Sequence, residues 1–189
     1  MPKNLINVKE DILSVTKELI KQTGYSELSI RKIAATCGVA TGTVYNYYSS
    51  KIDIIAEILL NEWNLMLRRI DLNTKTIDPV IEKIEIMFNE MNFFMTNVHG
   101  AWFQTYPISS ESTMDISKIK EKRKFLRNQL SAKVYSFTGT GKPQNDEVIN
   151  ICDIISNILI SYANDGIEFS KLKLSLSALI DKLDGLIRS

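Results

Sequence analysis

Apolar side chains recur at spacings of three and four residues along almost the whole chain, which is the spacing of one face of an α-helix. Only four prolines and eight glycines interrupt this pattern in 189 residues. The segments between them lack the strict alternation of apolar and polar residues that is typical of half-buried strands. The sequence therefore predicts an all-α protein of about nine helices.

Capping residues and helix breakers predict where the helices begin and end. Four helix starts are predicted from residues that cap free N–H groups: Asn7 with Glu10, Ser29, Ser50 with Asp53, and Asp78. After Asp78, Pro79 is expected in the first helical position. The predicted helices cover roughly 7–24, 29–38, 40–47, 51–69, 79–99, a short segment through Trp102, 112–136, 145–164 and 168–187. The clearest loop is FTGTGKPQ at 137–144.

Residues 29–51 show the pattern of two helices joined by a tight turn. Such helices pack closely, so they need a small residue at the contact and a residue that tolerates positive φ in the turn. Ala34 and Gly38 meet these needs four residues apart, and Val44 can fill the small core between the helices. The segment is therefore predicted to be a helix-turn-helix, a motif that places its second helix in the major groove of DNA.

The same segment resembles the DNA-binding domain of the TetR family of bacterial transcriptional regulators, over about residues 8–55. The matching residues are Gly24-Tyr25, Ser29, Ile33-Ala34, Cys37-Gly38-Val39-Ala40, Gly42-Thr43-Val44-Tyr45-Asn46-Tyr47-Tyr48 and Lys51. Cys37 stands where the family commonly has Ala. Ala40 stands where it has a Ser that caps the recognition helix, a role that Thr41 can take instead.

The resemblance implies which residues contact DNA. Residues that correspond to family positions at base edges or adjacent phosphates are Arg31, Thr41, Gly42, Thr43, Asn46 and Tyr47. Residues that correspond to positions on backbone phosphates are Ser29, Tyr45 and Lys51. Short side chains at the start of the recognition helix let its backbone approach the major groove. Tyr48 corresponds to a buried Phe of the family, so it is predicted to be a core residue.

Charge is unevenly distributed along the chain, although the formal net charge is only +1. Residues 1–51 contain seven Lys or Arg and four Asp or Glu, so this segment carries +3 and the remainder −2. A solvated face can produce such an asymmetry by chance. It therefore supports a DNA-binding end without establishing one.

An aromatic and Met-rich zone extends over the predicted fourth, fifth and sixth helices. Its members are Trp63, Met66, Met87, Phe88, Met91, Phe94, Trp102, Phe103 and Tyr106. For any one of them, a filled core is the alternative interpretation. Because resemblance to the family implies an apolar cavity in this region, we expect these residues to bind a small, mostly apolar or aromatic effector.

The helix predicted over 145–164 is apolar nearly all round, so it needs cover on both sides. The helix over 168–187 adds a second apolar stripe, and two such helices from each of two subunits would make a four-helix interface. The alternative is that both helices lie inside one subunit. The predicted homodimer interface consists of Ile151, Ile155, Ile158, Tyr162, Leu176, Leu179 and Leu183.

The remaining residues with reactive or charged side chains predict no enzyme, metal site or cofactor. Cys37 and Cys152 lie in apolar helical patterns, where a cysteine is usually a small buried residue. His99 is the only histidine and is placed at a helix C-terminus, where its cation would favour the dipole. The basic run at 118–127 is interpreted as a solvated face rather than an anion site. No carboxylate of the fifth helix has a His or Cys partner nearby in the sequence.

Together these patterns predict a ligand-responsive DNA-binding transcriptional regulator, a repressor that binds double-stranded operator DNA and is released by its effector. Residues 1–50 are predicted to be the DNA-binding domain and 51–189 the ligand-binding and dimerisation domain, with the helix over about 51–70 as their link. The absence of long apolar runs favours a cytoplasmic location without membrane attachment. The alternatives are an enzyme or small-molecule-binding protein built on a helical bundle, and an interaction protein that does not bind DNA.

Overall fold

The computed structural model describes residues 7–99, 113–138, 143 and 145–188, and these ranges contain eight α-helices and no strand. The all-α prediction is therefore confirmed. The helices are α1 (Val8–Thr23), α2 (Ile30–Cys37), α3 (Thr41–Tyr45), α4 (Lys51–Thr74), α5 (Val80–Phe94), α6 (Thr113–Thr138), α7 (Asp146–Asn164) and α8 (Lys173–Arg188). A π-helical segment, Met95–His99, follows α5, and a 3₁₀ turn, Phe169–Lys171, precedes α8.

The chain divides into two compact units. The N-terminal unit contains residues 7–65 and 96–99, and the C-terminal unit contains residues 66–95 with the described residues from 113 onward. The long helix α4 contributes its first fifteen residues to the N-terminal unit and the rest to the C-terminal unit.

The N-terminal unit has its own hydrophobic core, built by α1, α2, α3 and the first part of α4. Ile12, Ile33, Val44, Ile54 and Ile58 are completely inaccessible to solvent. They come from all four helices, and in α1 and α2 the buried positions follow the three- and four-residue spacing of the sequence. This core holds the helix-turn-helix segment in place.

Two of the predicted capping motifs form as expected. The Ser29 hydroxyl accepts the N–H of Lys32 at 3.1 Å and caps α2. At the start of α4, the Asp53 N–H donates to the Ser50 oxygen at 3.2 Å, and the Ser50 hydroxyl donates to the Asp53 carboxylate at 2.9 Å. Both motifs depend only on residues three positions apart.

Three other predicted caps were wrong. The Asn7 side chain makes no capping hydrogen bond within the described chain, because its ψ of 45° lies outside the extended region that lets a capping side chain reach back. Thr41 is the first residue of α3 and does not cap it, since Ala40 occupies the N-cap position. Pro79, with an extended ψ of 123°, is the N-cap of α5 rather than its first helical residue.

Two helices also differ in length from the prediction. Helix α3 ends at Tyr45, and the chain continues as a turn in which the N–H of Tyr47 donates to the Val44 carbonyl at 3.0 Å. Helix α4 extends past the predicted end at Arg69 to Thr74, because no breaker follows Arg69 and the Thr74 hydroxyl donates to the Ile70 carbonyl at 2.7 Å. The short helix expected through Trp102 lies outside the described residues.

The C-terminal unit is a helical bundle in which α5, α6, α7 and α8 all pack against one another. Its core includes Met87, Leu130, Ile155 and Leu176, none of which is accessible to solvent. The ring of Phe169 lies 5.5 Å from that of Phe88, so the 3₁₀ turn closes one part of this core. Ion pairs on the surface link helices that are distant in sequence, such as Lys182 with Glu147 at 2.7 Å.

Four residues predicted to form the dimer interface are instead buried within the C-terminal unit of a single chain. Ile151, Ile155, Leu176 and Leu183 have between 0 and 4% of their surface exposed. In the single chain they are covered by the helices of the same bundle, and the interface itself stays a prediction. Ile158, Tyr162 and Leu179 are half-buried, and the more exposed apolar residues of α7 and α8 are Ile149, Ile154 and Leu174.

The buried hydroxyl of Thr16 in α1 provides a test of the N-terminal core. Thr16 is completely buried, and its hydroxyl has no hydrogen-bond partner among the described residues. Thr16→Val removes this group at almost constant shape, so it is expected to raise the free energy of unfolding by about 1 kcal/mol. Thr74→Val is the matched control, because the buried Thr74 hydroxyl is hydrogen-bonded, and it should lower the free energy. Urea denaturation measures the free energy of unfolding of both variants. Equal destabilisation by the two changes would contradict an unpaired Thr16 hydroxyl.

Candidate nucleic-acid interface

The turn between α2 and α3 has the geometry that its sequence predicts. Gly38 adopts the left-handed conformation, with φ 73° and ψ 29°. Its N–H donates to the Ala35 carbonyl at 3.2 Å, and the N–H of Val39 donates to the Ala34 carbonyl at 3.0 Å. Ala34 and Val44 are buried where the two helices pack. The predicted pair of helices joined by a tight turn is therefore confirmed.

The nine residues predicted to contact DNA lie mostly at the protein surface. Ser29 and Arg31 are at the start of α2, Lys51 is at the start of α4, and the others lie on α3 and the turn that follows it. The exposed members are Ser29, Arg31, Thr41, Gly42, Tyr45, Asn46 and Tyr47, and the half-buried members are Thr43 and Lys51. Ser29 has a structural role as well, since its oxygen caps α2.

Three tyrosines near the end of α3 have different environments. Tyr45 and Tyr47 are 55% and 48% exposed, whereas Tyr48 is 5% exposed and belongs to the core. Burial, followed by the nearby Glu57 carboxylate, raises the pKa of the Tyr48 phenol above its ordinary value. The Tyr48 hydroxyl therefore stays neutral at physiological pH. The structure confirms that Tyr48 is a core residue and leaves the other two rings available on the surface.

The N-terminal turn of α3 has an open surface at Gly42. A Cβ atom built on Gly42 would meet no other atom within 4 Å among the described residues. The glycine is therefore not required by packing within the domain. Its absent side chain instead leaves the helix backbone accessible, as a close approach to the groove of a duplex requires.

Lys51 is held by groups of its own domain. Its ammonium donates to the Leu28 carbonyl oxygen at 3.1 Å. The same nitrogen lies 4.3 Å from the centre of the Tyr25 ring, a cation–π distance. This contact joins residues 23 positions apart, and nothing in the local sequence pattern indicated it.

Several cations of the N-terminal segment are paired with carboxylates. Lys9 lies 2.7 Å from Glu57, and Lys17 forms an ion pair with Glu62, so both pairs connect α1 to α4. Lys21 pairs with Glu18 at 3.2 Å. The positive excess of the segment is therefore partly neutralised within the domain, which weakens the argument for DNA binding from net charge alone.

The described residues of the predicted ligand-binding zone are all buried, but they do not belong to one unit. Trp63 is buried in the N-terminal unit. The members buried in the C-terminal unit are Met66, Met87, Phe88, Met91 and Phe94. Trp102, Phe103 and Tyr106 lie outside the described residues. The ring of Phe169 packs against Phe88, a contact that no sequence pattern indicated.

A groove on the surface of the C-terminal unit was not predicted from the sequence. It has a volume of about 450 Å³, is open to solvent, and is lined by Arg69, Asn73, Ile86, Asn89, Glu90 and Phe93. The Arg69 Nε donates to the Glu90 carboxylate at 2.7 Å, and the Arg69 guanidinium lies 5.6 Å from the Phe93 ring. Glu90 of α5 is therefore paired with a cation of α4.

The remaining reactive groups are in structural environments. Burial, followed by the neighbouring Asp153 charge, raises the pKa of the Cys152 thiol to about 11, so the thiol is protonated and unreactive at neutral pH. No three potential metal ligands come together in the described part of the chain. The helices in that part are also too short or too polar to cross a membrane. The His99 side chain and half of the side chains of the basic run at 118–127 lie outside the described side chains.

Comparisons with known proteins agree with this geometry. Residues 12–58 match the family model for bacterial regulatory proteins of the tetR family. The fatty acid metabolism regulator protein of Bacillus subtilis is 26% identical over 111 residues, which cover 58% of this chain and 57% of that protein. The transcriptional repressor KstR of Mycobacterium tuberculosis is 21% identical over 156 residues, which cover 81% of this chain and 68% of that protein. A Haemophilus influenzae helix-turn-helix regulator is matched over 48% of its length.

Solved structures share the same fold over nearly the whole chain. A TetR-family transcriptional regulator from Streptomyces coelicolor has a TM-score of 0.58 and 13% identity, with 96% of this chain and 95% of that chain covered. The fatty acid degradation regulator FadR of Bacillus halodurans has a TM-score of 0.53 and 19% identity, with 94% and 96% covered. All of these proteins are named as regulators or repressors. The helix-turn-helix segment therefore matches the model of the tetR family of bacterial regulatory proteins, and the fold is the one found in solved TetR-family transcriptional regulators.

Proposed function

We propose that this chain is a homodimeric repressor that binds operator DNA through α2 and α3 and is released by a small, mostly apolar effector. The observation that carries the DNA-binding part is the exposed surface of α3 and its following turn. Tyr45 and Tyr47 are about half exposed, and Gly42 leaves the helix backbone open. Large rings that are half exposed next to an open helix terminus suit a helix that enters a groove.

The proposed contacts divide into base readout and phosphate binding. Asn46 lies just past α3 and carries an amide, the group that pairs with adenine through two hydrogen bonds in the major groove. Thr43 can place its methyl group against thymine. Arg31 and Ser29 at the start of α2, with Tyr45, are suited to phosphate oxygens because they offer N–H and O–H donors at the surface. Thr41, Gly42 and Tyr47 complete the proposed contact surface.

Dimerisation is proposed through α7 and α8, on the faces that the single chain leaves open. Ile154 on α7 is 47% exposed and Leu174 on α8 is 86% exposed, and the two helices pack against each other. The half-buried Ile158, Tyr162 and Leu179 are the members of the original interface prediction that stay in this proposal. A two-fold dimer would present two recognition helices to half-sites about 34–36 Å apart on B-DNA.

The effector is proposed to bind in the domain formed by residues 51–189, while residues 1–50 bind DNA in the cytoplasm. Met66, Met87 and Met91 are buried in the same unit as Phe88 and Phe94, and methionine side chains adapt to irregular apolar contents. The Bacillus subtilis relative is named a fatty acid metabolism regulator, which makes a fatty acid a reasonable first probe. The Mycobacterium tuberculosis relative is named a repressor, which supports the proposed sign of regulation.

Selection from a pool of random-sequence duplexes, followed by a salt series on a selected duplex, tests the DNA-binding proposal. We expect a selected duplex to bind at least 1000-fold more tightly than a random one, an estimate of about three orders of magnitude from the usual specificity ratio. The logarithm of affinity should fall linearly with the logarithm of salt concentration because phosphate contacts release counterions. Weak or salt-independent binding to every duplex would instead favour a helical interaction protein.

Effector control is tested by titrating palmitate into the protein with its selected duplex while following tryptophan fluorescence. Binding of palmitate is expected to lower operator affinity, and linkage requires operator to lower palmitate affinity by the same factor. Typical coupling between two sites corresponds to roughly 5- to 150-fold. Palmitate that binds without changing operator affinity would contradict release by this class of effector.

A further inference from the structure

We propose that Lys51 is an intramolecular latch that positions the start of α2, and that it affects DNA affinity through this position rather than by binding a phosphate. The inference deepens the proposed function, because DNA affinity is one of its readouts. It departs from what resemblance to the family implies for this lysine. The contact joins the first residue of α4 to the connector between α1 and α2, residues 24–29.

Both ends of the latch are well defined. The Lys51 ammonium donates to the Leu28 carbonyl at 3.1 Å and lies 4.3 Å from the centre of the Tyr25 ring. Tyr25 and Leu28 are 7% and 2% exposed, so their positions are set by the core of the N-terminal unit. The Lys51 side chain is itself half-buried. A cation over an aromatic face is attracted more strongly when it is withdrawn from water.

The connector transmits this contact to α2. The N–H of Leu28 donates to the Tyr25 carbonyl at 3.1 Å, so Tyr25 and Leu28 close a turn. The Leu28 carbonyl belongs to the peptide unit that leads into Ser29, and Ser29 is the N-cap of α2. A lysine that holds this carbonyl therefore sets the position at which α2 begins. Because α2 packs against α3, the same contact influences the orientation of the proposed recognition surface.

Arg31 provides a matched comparison for Lys51. Both are cations in the first turn of a helix that borders the recognition surface, but Arg31 is exposed to solvent. An exposed guanidinium is available to a phosphate without losing an internal partner. The Lys51 ammonium has three N–H donors, one of which is used by the Leu28 carbonyl, and the Tyr25 ring covers part of the cation. A phosphate would have to bind a group that is already half-buried and held on two sides.

The salt dependence of DNA binding distinguishes a latch from a phosphate ligand. Lys51→Met keeps most of the aliphatic stem and removes the charge, and we expect about a five- to tenfold loss of affinity on every duplex, with the salt slope unchanged. Arg31→Met is the control, and it should lower the slope by about 0.9, the value for one phosphate contact. A slope lowered equally by Lys51→Met would overturn the proposal, as would unchanged affinity.

A double-mutant cycle with Tyr25 tests the contact independently of DNA. Tyr25→Leu removes the ring face and should weaken binding without changing the salt slope. In urea denaturation, the double variant should lose less free energy of unfolding than the sum of the losses of Tyr25→Leu and Lys51→Met, because either change alone breaks the latch. Full additivity would overturn the latch even if DNA binding proved salt-dependent. Salt-independent binding by the wild type, with coupling intact, would instead contradict the proposed function and leave the latch itself supported.

Discussion

Ile154→Glu is expected to give a folded monomer that binds the operator about 100-fold or more weakly than the wild type, because two linked half-sites no longer bind together. Ile154 is 47% exposed on α7, so a glutamate at this position stays solvated in the single chain. In the proposed dimer the same carboxylate would be buried against an apolar surface without a partner. Burial of an unpaired charge is strongly unfavourable, so the monomer is favoured.

The adjacent Ile155→Glu is the control, and it should have a different outcome. Ile155 is completely buried in the C-terminal unit, so its replacement by a charged residue is expected to unfold that unit rather than to separate two folded subunits. Light scattering at micromolar concentration reports the mass, and circular dichroism reports helix content. A dimeric Ile154→Glu variant with unchanged operator affinity would contradict the proposed interface.

Gly42→Glu is expected to reduce affinity for all duplexes by about 100-fold or more while leaving the protein folded. The space beyond the Gly42 Cα is open, so a side chain causes no clash within the domain. Glutamate also has a higher helix propensity than glycine, by roughly 0.5–1 kcal/mol. Against DNA, the new side chain blocks the approach of the α3 backbone, and its charge repels the phosphates. Operator binding and thermal unfolding of the same variant separate these two effects.

Two controls separate bulk from charge at this position. Gly42→Ala adds a small uncharged group, so its effect on affinity should be much smaller than that of Gly42→Glu. Ser14→Glu adds the same charge on an exposed face of α1, near Asp11 and Glu18. A face that already carries carboxylates is unsuited to phosphates, so Ser14→Glu should leave affinity nearly unchanged. Equal losses for Ser14→Glu and Gly42→Glu would show that net charge, rather than the α3 surface, decides affinity.

Features that depend on a few neighbouring residues were predictable from the sequence. The Ser29 cap, the left-handed Gly38 and the Ser50–Asp53 motif each involve atoms within about one helical turn, so the residue types nearly determine the conformation. The exceptions show the limit of such local signals. Asn7 has the right side chain for a cap, but its ψ of 45° prevents the contact. Thr41 is the first residue of α3 and not its cap, because Ala40 adopts the extended conformation of an N-cap.

Features that depend on how helices rotate against one another were not predictable. Ile154 and Ile155 are the same residue type at adjacent positions, so no composition or periodicity argument separates a surface residue from a core residue in a helix that is apolar nearly all round. The interface predicted from the sequence included Ile155, which the single chain buries completely. The packing of α5, α6 and α8 around α7 decides which residues are covered.

The sequence by itself determined the all-helical fold, the helix-turn-helix and its match to the TetR family model, because periodicity, caps and the residues from Gly24 to Lys51 carry that information within short segments. Only the tertiary structure decided the partners of long charged side chains. The Lys51 ammonium contacts the Leu28 carbonyl and the Tyr25 ring, and Lys9 forms an ion pair with Glu57. A flexible side chain can reach several groups, and the group that it meets depends on where distant parts of the chain are brought by the burial of apolar surface.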